Sequence, residues 1–279
     1  MSYVTAKNIF QSYGPRPILE RVNLEVAEGE FISIVGASGC GKSTFLRLLL
    51  AQETPTRGEI SVAGQPPAEE PGRDRGIVFQ RYSVFPHMTV RENLVAAEAL
   101  GATKSGWIWG KARRAARERA EAVLDRIGLG HMGRAYPAAL SGGMQQRLAI
   151  AQALMAKPRI LLLDEPFGAL DPGTRLSMHD FLTEMRVETG MTVFMVTHDL
   201  EEGFKLGDRV LVFDKPRWDP HEPEAYGATI TYDFDARDGG IPYQSMRLSP
   251  ALRKGGRVRG PVGAGHGGET EQTTETTHV

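Results

Sequence analysis

The 279-residue sequence has a single cysteine, no long hydrophobic segment and no excess of charge of either sign. One cysteine cannot form an internal disulfide, which excludes the class of small secreted domains held together by disulfides. The strictly apolar runs, such as residues 160–163, are far shorter than the ~20 residues that span a bilayer. The 33 Lys and Arg against 34 Asp and Glu leave a formal charge of −1, so nucleic acid is not the expected partner.

The first eight residues lack a basic segment followed by a long apolar one, so they do not have the pattern of a signal peptide. Together with the absence of a membrane-spanning run, this predicts a soluble, cytoplasmic chain. Any role at a membrane would then depend on a partner that supplies the membrane segments.

Short strand patterns alternate with helical patterns along most of the chain. Buried strands are predicted at 31–35, 76–80, 160–163, 191–196 and 209–214, and alternation of this kind indicates a parallel sheet covered by helices on both faces. Residues 89–156 are almost entirely helical in pattern and begin with Thr89-x-x-Glu92, a capping box. The dense charges on 111–127 predict a solvated helix face. The helical stretch is therefore an insertion into an α/β core.

A glycine-rich loop follows the first buried strand and precedes a helix. Residues 36–43 satisfy Gly-x-x-x-x-Gly-Lys-[Ser/Thr], a loop whose backbone N–H groups cradle phosphates. Lys42 would reach the terminal phosphates and Ser43 would hold Mg²⁺. Cys40 is either a reactive thiol or a small loop residue. The predicted nucleotide-binding residues here are Gly36, Ala37, Ser38, Gly39, Cys40, Gly41, Lys42, Ser43 and Thr44.

Two carboxylates, Asp164 and Glu165, end the hydrophobic strand at 160–163. Since ligands collect at the carboxyl ends of parallel strands, both acids are expected to face the phosphate site. Asp164 suits the Mg²⁺ shell, and Glu165 suits polarisation of an attacking water. A phosphate loop with these acids still leaves kinases, GTPases, helicases and transport ATPases open.

The sequence Leu-Ser-Gly-Gly-Met-Gln-Gln-Arg at 140–147 decides among them, because it resembles the signature motif of ATP-binding cassette (ABC) ATPases. The hydroxyl of Ser141 and the N–H groups of Gly142 and Gly143 offer a second anion site at a helix start. By the same resemblance, Gln145 contributes to nucleotide binding.

Four further segments match the family in order. Gln80 resembles the Q-loop glutamine, a catalytic residue and Mg²⁺ ligand, and residues 168–171 resemble the D-loop. His198 resembles the switch histidine, which contacts the γ-phosphate. Tyr13 resembles the aromatic residue that stacks on adenine, although an aromatic at such a place is also common as packing. The resemblance covers residues 3–215.

This resemblance implies an α/β P-loop NTPase with a RecA-like parallel-sheet core, an N-terminal antiparallel β subdomain and an inserted α-helical subdomain. The ABC ATPase domain is expected at 1–215, with its core at 1–88 and 157–215 and its helical subdomain at 89–156. Residues 216–256 are expected to form a short appendage with one strand. The Gly- and Thr-rich segment 257–279 has the composition of a disordered tail.

The resemblance also implies an ATPase that uses ATP and Mg²⁺, with Lys42, Gln80, Glu165 and His198 as catalytic residues. Two subunits would meet head to tail, so that each ATP lies between one phosphate loop and the partner's signature motif. This homodimer would sit on the cytoplasmic face of the inner membrane, beneath two integral-membrane permease subunits that dock near Gln80–Pro86. An external solute-binding protein would act indirectly. Trp107 and Trp109 either extend the docking surface or cap the helical insertion.

The subfamily is indicated by the short segment after Asp214, which is too short for the regulatory β-domain of polyamine, iron and sugar importers. The architecture resembles the nitrate/sulfonate/taurine importer branch. Residues 211–215 and 224–233 resemble ATPases associated with urea carboxylase, with a guanidine- or urea-like cargo. Phe85-Pro86-His87 instead resembles the polyamine and iron group. An exporter ATPase and a non-transport ABC ATPase stay open as alternatives.

Overall fold

The computed structural model describes residues 2–66, 72–79, 84–103, 105–217 and 225–237, which form two β-sheets and six α-helices. In this part of the chain no helix is long and apolar enough to cross a bilayer. The strands are β1 (Val4–Tyr13), β2 (Arg16–Val26), β3 (Phe31–Gly36), β4 (Arg57–Val62), β5 (Arg75–Val78), β6 (Ile160–Asp164), β7 (Thr192–Val196), β8 (Arg209–Asp214) and β9 (Thr229–Asp235). The helices are α1 (Lys42–Leu49), α2 (Val90–Ala102), α3 (Gly110–Arg126), α4 (Gly142–Met155), α5 (Pro172–Thr189) and α6 (Leu200–Leu206).

The central sheet has the strand order β5-β6-β7-β3-β8-β9, and its first five strands are parallel. The apolar runs of β3, β6 and β7 are almost wholly buried, which confirms the predicted buried strands. Val196 at the end of β7 lies in register with both Ile34 of β3 and Asp164 of β6. The segments that follow these three adjacent strands therefore emerge at the same edge of the sheet.

Both faces of the central sheet are covered, as predicted for an α/β fold. Along β6, Leu161 and Leu163 pack into one apolar cluster with α2, α4 and α5, whereas Ile160 and Leu162 pack into a second cluster with α1. This alternation follows from the two-residue period of a strand. The second cluster also contains the buried residues of an antiparallel sheet of order β2-β1-β4, so this predicted β unit is present and packs directly on the core.

The predicted capping box begins the helical segment at α2. The Thr89 side chain accepts a hydrogen bond from the Glu92 N–H, and the Glu92 carboxylate accepts one from the Thr89 N–H at 2.9 Å. Leu94 and Leu124 are fully buried and join the cluster that contains β6, so α2 and α3 share a core with the sheet. The boundaries of the helical subdomain remain predictions.

The strand expected after residue 216 is present as β9. It pairs antiparallel with β8, from Asp214–Thr229 to Arg209–Asp235, and forms the edge of the central sheet. The buried Arg209 guanidinium joins the two strands, because its Nε donates to Asp233 Oδ1 at 3.0 Å and its Nη1 lies 3.3 Å from Glu30 Oε2. The tail predicted at 257–279 lies outside the described residues.

Candidate nucleotide-binding site

The glycine-rich loop leaves β3 and requires glycine at two of its positions. Gly36 has φ 152°, and a Cβ there would lie 2.2 Å from the Phe213 carbonyl oxygen. Gly41 has φ 82° at the start of α1, and a Cβ there would lie 2.7 Å from Leu19 Cδ2. Side chains at these positions are excluded by both backbone conformation and space. The loop can therefore keep its backbone N–H groups close to a bound phosphate.

The Lys42 side chain lies inside the loop and is only 7% exposed. Its Nζ donates hydrogen bonds of 2.8 Å to the carbonyl oxygens of Gly36 and Ala37. These contacts hold the ammonium within the curve of the loop, where a phosphate chain would meet it. Cys40 is buried, and burial raises the pKa of its thiol. The thiol is therefore protonated and shielded at neutral pH, which favours the small loop residue over the reactive thiol.

Asp164 and Glu165 leave β6 two strands away from the loop. The Asp164 carboxyl lies near the Ser43 side chain, which interacts favourably with its ionised form. Burial raises the pKa of Asp164, the Ser43 side chain opposes that shift, and the neighbouring Glu165 charge adds to it. A hydroxyl and a carboxylate beside a phosphate loop are the hard oxygen donors that Mg²⁺ prefers, and Mg²⁺ takes its remaining ligands from phosphate and water. Ser43 and Asp164 thus fit the metal that the sequence predicts.

Glu165 has an unusual backbone conformation that aims its side chain. Its φ of 49° is left-handed, which costs a non-glycine residue of the order of 1 kcal/mol or more. Its N–H donates to the Val196 carbonyl at 3.0 Å, and its own carbonyl accepts from Gln146 Nε2 at 3.3 Å. Backbone strain held in place by neighbours is typical of functional sites.

His198 follows β7, the strand between those that supply the loop and the acids. Its Nδ1 lies 3.8 Å from Glu165 Oε2. The His198 side chain is 69% exposed and that of Glu165 is 30% exposed, so a ligand can reach both. The two residues predicted from separate motifs to act on the γ-phosphate and its attacking water are therefore neighbours.

A buried polar cluster supports the turn that carries His198. Glu202 Oε2 accepts a hydrogen bond of 2.6 Å from Thr197 Oγ1, which in turn accepts one of 3.1 Å from the Asp199 N–H. Glu202 Oε1 lies 3.0 Å from His179 Nε2. Since Thr197, His179 and Glu202 are nearly fully buried, these bonds fix the turn between β7 and α6. Sequence reasoning missed Glu202 and His179, because each stands beside another polar residue, Glu201 or Asp180, and nothing in the sequence distinguishes the buried one.

Tyr13 is 44% exposed and lies at the end of β1. Its hydroxyl donates to Glu53 Oε2 at 2.5 Å and accepts from Arg47 Nη2 at 3.1 Å. Arg47 Nη2 also donates to Thr44 Oγ1 at 3.1 Å, so Tyr13 is tied to the helix that follows the phosphate loop. The hydroxyl end of the Tyr13 ring is thus held by hydrogen bonds, while a large part of the side chain is exposed to solvent.

The signature segment begins α4. Ser141 is the N-cap residue, its Oγ accepts from the Met144 N–H at 3.3 Å, and both Ser141 and Gly142 are exposed. Gln145 Nε2 donates to the carbonyls of Pro137 and Leu140 at 3.0 and 3.2 Å. The amide nitrogen of Gln145 is therefore engaged within the protein, and its predicted contact with nucleotide stays a prediction.

Gln146 joins the signature helix to the acidic strand. It is 3% exposed, its Nε2 donates to the Glu165 carbonyl, and its Oε1 accepts from the Ala169 N–H at 3.3 Å. Gln146 therefore connects α4 directly to the backbone of Glu165. No periodicity or spacing in the sequence distinguishes this residue from its neighbour Gln145.

Comparison with known proteins identifies the arrangement. Residues 19–168 match the family model described as ABC transporter. The chain belongs to the ABC transporter family. A nitrate import ATP-binding protein of Synechocystis is 45% identical over 194 residues, which is 70% of this chain and 70% of that protein. An aliphatic sulfonates import ATP-binding protein of Burkholderia ambifaria is 41% identical over 214 residues, 77% of this chain and 62% of that protein.

A solved structure agrees with these sequence relatives. It is a dimeric, post-hydrolysis state of the ATP-binding cassette MJ0796 bound to ADP and Pi, with 32% sequence identity and a TM-score of 0.69, covering 85% of this chain and all of that one. The predicted P-loop NTPase fold of an ABC ATPase is thereby confirmed. ABC transporter ATP-binding proteins are ATPases coupled to transport, which agrees with the predicted enzyme class.

One residue of the predicted ABC site, Gln80, lies outside the described residues, together with 81–83 of the predicted docking strip. The rest of the strip, Val84 to Pro86, is anchored to α2 by the fully buried Asn93. Asn93 Oδ1 accepts from the Phe85 N–H at 2.7 Å, and Asn93 Nδ2 donates to the Phe85 carbonyl at 3.1 Å. The backbone of Phe85 is therefore held to α2 by two hydrogen bonds.

Proposed function

We propose that the chain is the ATP-hydrolysing subunit of a prokaryotic ABC importer, working as a head-to-tail homodimer. The observation that carries this proposal is the meeting of Glu165 and His198 at the sheet edge that bears the phosphate loop, because β7 lies beside the loop strand β3 and β6 lies beside β7. A phosphate cradle alone binds nucleotide, whereas a carboxylate and an imidazole at the same edge add the groups that hydrolysis needs.

Within that site each side chain has a distinct task. Lys42 exchanges its two carbonyl bonds for contacts with the terminal phosphates. Ser43 and Asp164 would hold Mg²⁺, which would supply charge neutralisation at the phosphates. Glu165 accepts the proton of the attacking water, and His198 donates to the γ-phosphate and holds the water in line. Gln80 completes the predicted set as a further catalytic residue and Mg²⁺ ligand. Tyr13 stacks its open ring on adenine.

The signature residues act on the ATP of a second subunit. Ser141, Gly142 and Gly143 present a hydroxyl and N–H groups at an exposed helix start, where they can meet an incoming γ-phosphate. ATP therefore holds two chains together, and hydrolysis releases them. Gln146 supports this proposal because it links the signature helix to the Glu165 backbone by a hydrogen bond.

The dimer works beneath two integral-membrane permease subunits that dock near Gln80–Pro86, at the cytoplasmic face of the inner membrane. An external solute-binding protein delivers the cargo, a small polar solute of the nitrate, sulfonate or taurine kind or a guanidine- or urea-like compound. The named relatives, which import nitrate and aliphatic sulfonates, favour import over export and the first kind of cargo. The alternatives are an ATPase of an exporter or of a polyamine- or iron-type importer and, in a different class, a non-transport ABC ATPase.

Co-purification from detergent-solubilised native membranes tests the transport function. The tagged chain is expected to carry membrane subunits with it, and Phe85→Glu in the docking strip is expected to reduce their recovery about tenfold or more. Tyr232→Glu, which changes an exposed aromatic on β9, is the matched control and should retain them. Recovery of DNA or ribosomes with no membrane subunit would favour the non-transport class instead.

A further inference from the structure

Two exposed tryptophans precede helix α3. The Trp107 and Trp109 residues are 67% and 75% exposed, and their rings stack on each other with centroids 5.9 Å apart and an interplanar angle of 21°. Gly106 and Gly110 flank them with φ 70° and 53°, so the backbone has a left-handed residue on each side of the pair. Water-exposed indoles are costly, and tryptophan is the residue that prefers a boundary between an apolar and an aqueous phase.

A basic cavity of about 420 Å³ lies between α2 and α3, and one of its lining residues is Gly110, which follows Trp109 in the chain. Glu92 is the one acidic residue among those that line it, and its carboxylate is already bonded to the Thr89 N–H and hydroxyl at 2.9 and 2.8 Å. Five arginines line the cavity: Arg91, Arg113, Arg114, Arg117 and Arg134. The Glu92 carboxylate also interacts with Arg113 and Arg91, so the described wall carries five arginines against one carboxylate and has an excess of positive charge.

The pairing of arginines differs between the two halves of α3. In the second half Arg119 pairs with Glu98 and Arg126 pairs with Glu184. In the first half no side-chain hydrogen bond or ion pair joins Arg113, Arg114 or Arg117 to any residue that the structure describes, and the same holds for Arg134 of the cavity. Only Arg91 is paired, with Glu121. The helix face predicted to be simply solvated therefore divides into a self-neutralised half and an unneutralised basic half.

We propose that the arginine cavity and the tryptophan pair together form a contact site for an anionic phospholipid surface. The planar guanidinium groups match the oxygens of a headgroup phosphate, and the adjacent indoles enter the interfacial layer beside it. An acidic protein segment would also satisfy the arginines. The two indoles are both more than half exposed, which suits them better to a soft lipid boundary than to a shaped protein surface. This site needs neither ATP nor a membrane subunit, so it stands apart from the transport function.

Co-sedimentation of the full-length chain with vesicles tests the site. Binding is expected to vesicles of phosphatidylcholine and phosphatidylglycerol in equal parts, to weaken with added salt, and to be absent with phosphatidylcholine alone. Arg114→Glu with Arg117→Glu should weaken binding about 25-fold or more, since each basic residue near an acidic membrane is worth about fivefold. Trp107→Ser with Trp109→Ser should weaken it about tenfold.

The matched control is Arg21→Glu with Lys205→Glu, which makes the same charge change on β2 and α6, outside the cavity. It should shift vesicle affinity by no more than about threefold, because charges beyond the Debye length are screened. Circular dichroism and ATP binding check that all variants fold. If the cavity variant is no weaker than this control, the site is wrongly assigned.

Tryptophan fluorescence gives a second readout. Trp218, the remaining tryptophan, is replaced in Trp218→Phe, so emission reports the pair alone. A blue shift with acidic vesicles and none with soluble pyrophosphate supports the lipid site. Pyrophosphate binding without vesicle binding would instead identify a site for a soluble anion. Loss of a membrane subunit from the tryptophan variant, again without vesicle binding, would identify a protein interface. Either result overturns the proposal.

Discussion

Replacement of Glu165 by glutamine is expected to leave ATP binding intact and to slow ATP hydrolysis by about a hundred- to ten-thousand-fold. Glutamine keeps the size of the side chain and can still bond to water, but it cannot accept a proton. The backbone contacts of Glu165 to Val196 and Gln146 do not involve the changed group, so the site should keep its shape. ATP should therefore remain bound, and the dimer that it holds together should accumulate.

Steady-state phosphate release and light scattering with ATP measure these two effects. Glu201→Gln is the control, because Glu201 is an exposed glutamate in the first turn of the nearby helix α6. It should hydrolyse ATP at the parent rate. A Glu165→Gln chain that stayed monomeric with ATP and hydrolysed it normally would remove Glu165 from the catalytic role.

Replacement of Arg209 by methionine is expected to lower the free energy of unfolding by about 3–5 kcal/mol. The change leaves two nearly buried carboxylates, Glu30 at 8% and Asp233 at 7% exposed, without their shared cation. It also removes the hydrogen bond from Arg209 Nη1 to the Glu25 carbonyl at 2.8 Å. Because Asp233 lies on β9 and Glu30 precedes β3, the loss of stability should affect β3, β8 and β9 together rather than β9 alone.

Urea unfolding of matched variants measures this loss. Arg237→Met removes an exposed arginine that pairs with Asp235 at the end of the same strand, and it should cost less than about 1 kcal/mol. Adding Glu30→Gln and Asp233→Asn to Arg209→Met should recover a large part of the stability, because the unpaired charges are then gone. Equal losses for Arg209→Met and Arg237→Met would mean that the buried cluster does not stabilise the fold.

The site residues that could be predicted from the sequence are those whose chemistry is local. Gly36 and Gly41 are required by backbone conformation within one loop, and Asp164 and Glu165 stand at the end of an apolar strand that is visible by itself. The neighbour order β6-β7-β3 is set by long-range pairing and does not follow from the chain order. This order is what brings the turn after β7, with its histidine, between the loop and the acids.

The residues that sequence reasoning missed act through packing between distant segments. Gln146 reaches residue 165 and residue 169 from α4, and Glu202 reaches back to Thr197 and across to His179. Polar residues in a helix are most often exposed, so the burial of these two cannot be inferred without the fold. The strand near residue 230 was predicted from its local pattern. Its antiparallel pairing with β8 at the edge of the central sheet was not, because that pairing joins distant segments of the chain.

The central claim is that each ATP lies between Lys42 of one chain and Ser141 of another. Its most direct test is a count of trapped ATP in heterodimers, isolated by two different tags, in the Glu165→Gln background. A homodimer of the Lys42→Ala variant should trap no ATP, and neither should a homodimer of the Ser141→Arg variant, because each change damages both composite sites. A heterodimer with one change on each chain should trap one ATP, because one of its two sites keeps both Lys42 and Ser141. A heterodimer of a doubly changed chain with the parent chain should trap none, because each of its sites then contains one changed residue. ATP retained by Ser141→Arg dimers alone, or the same count for the two heterodimers, would contradict the shared site.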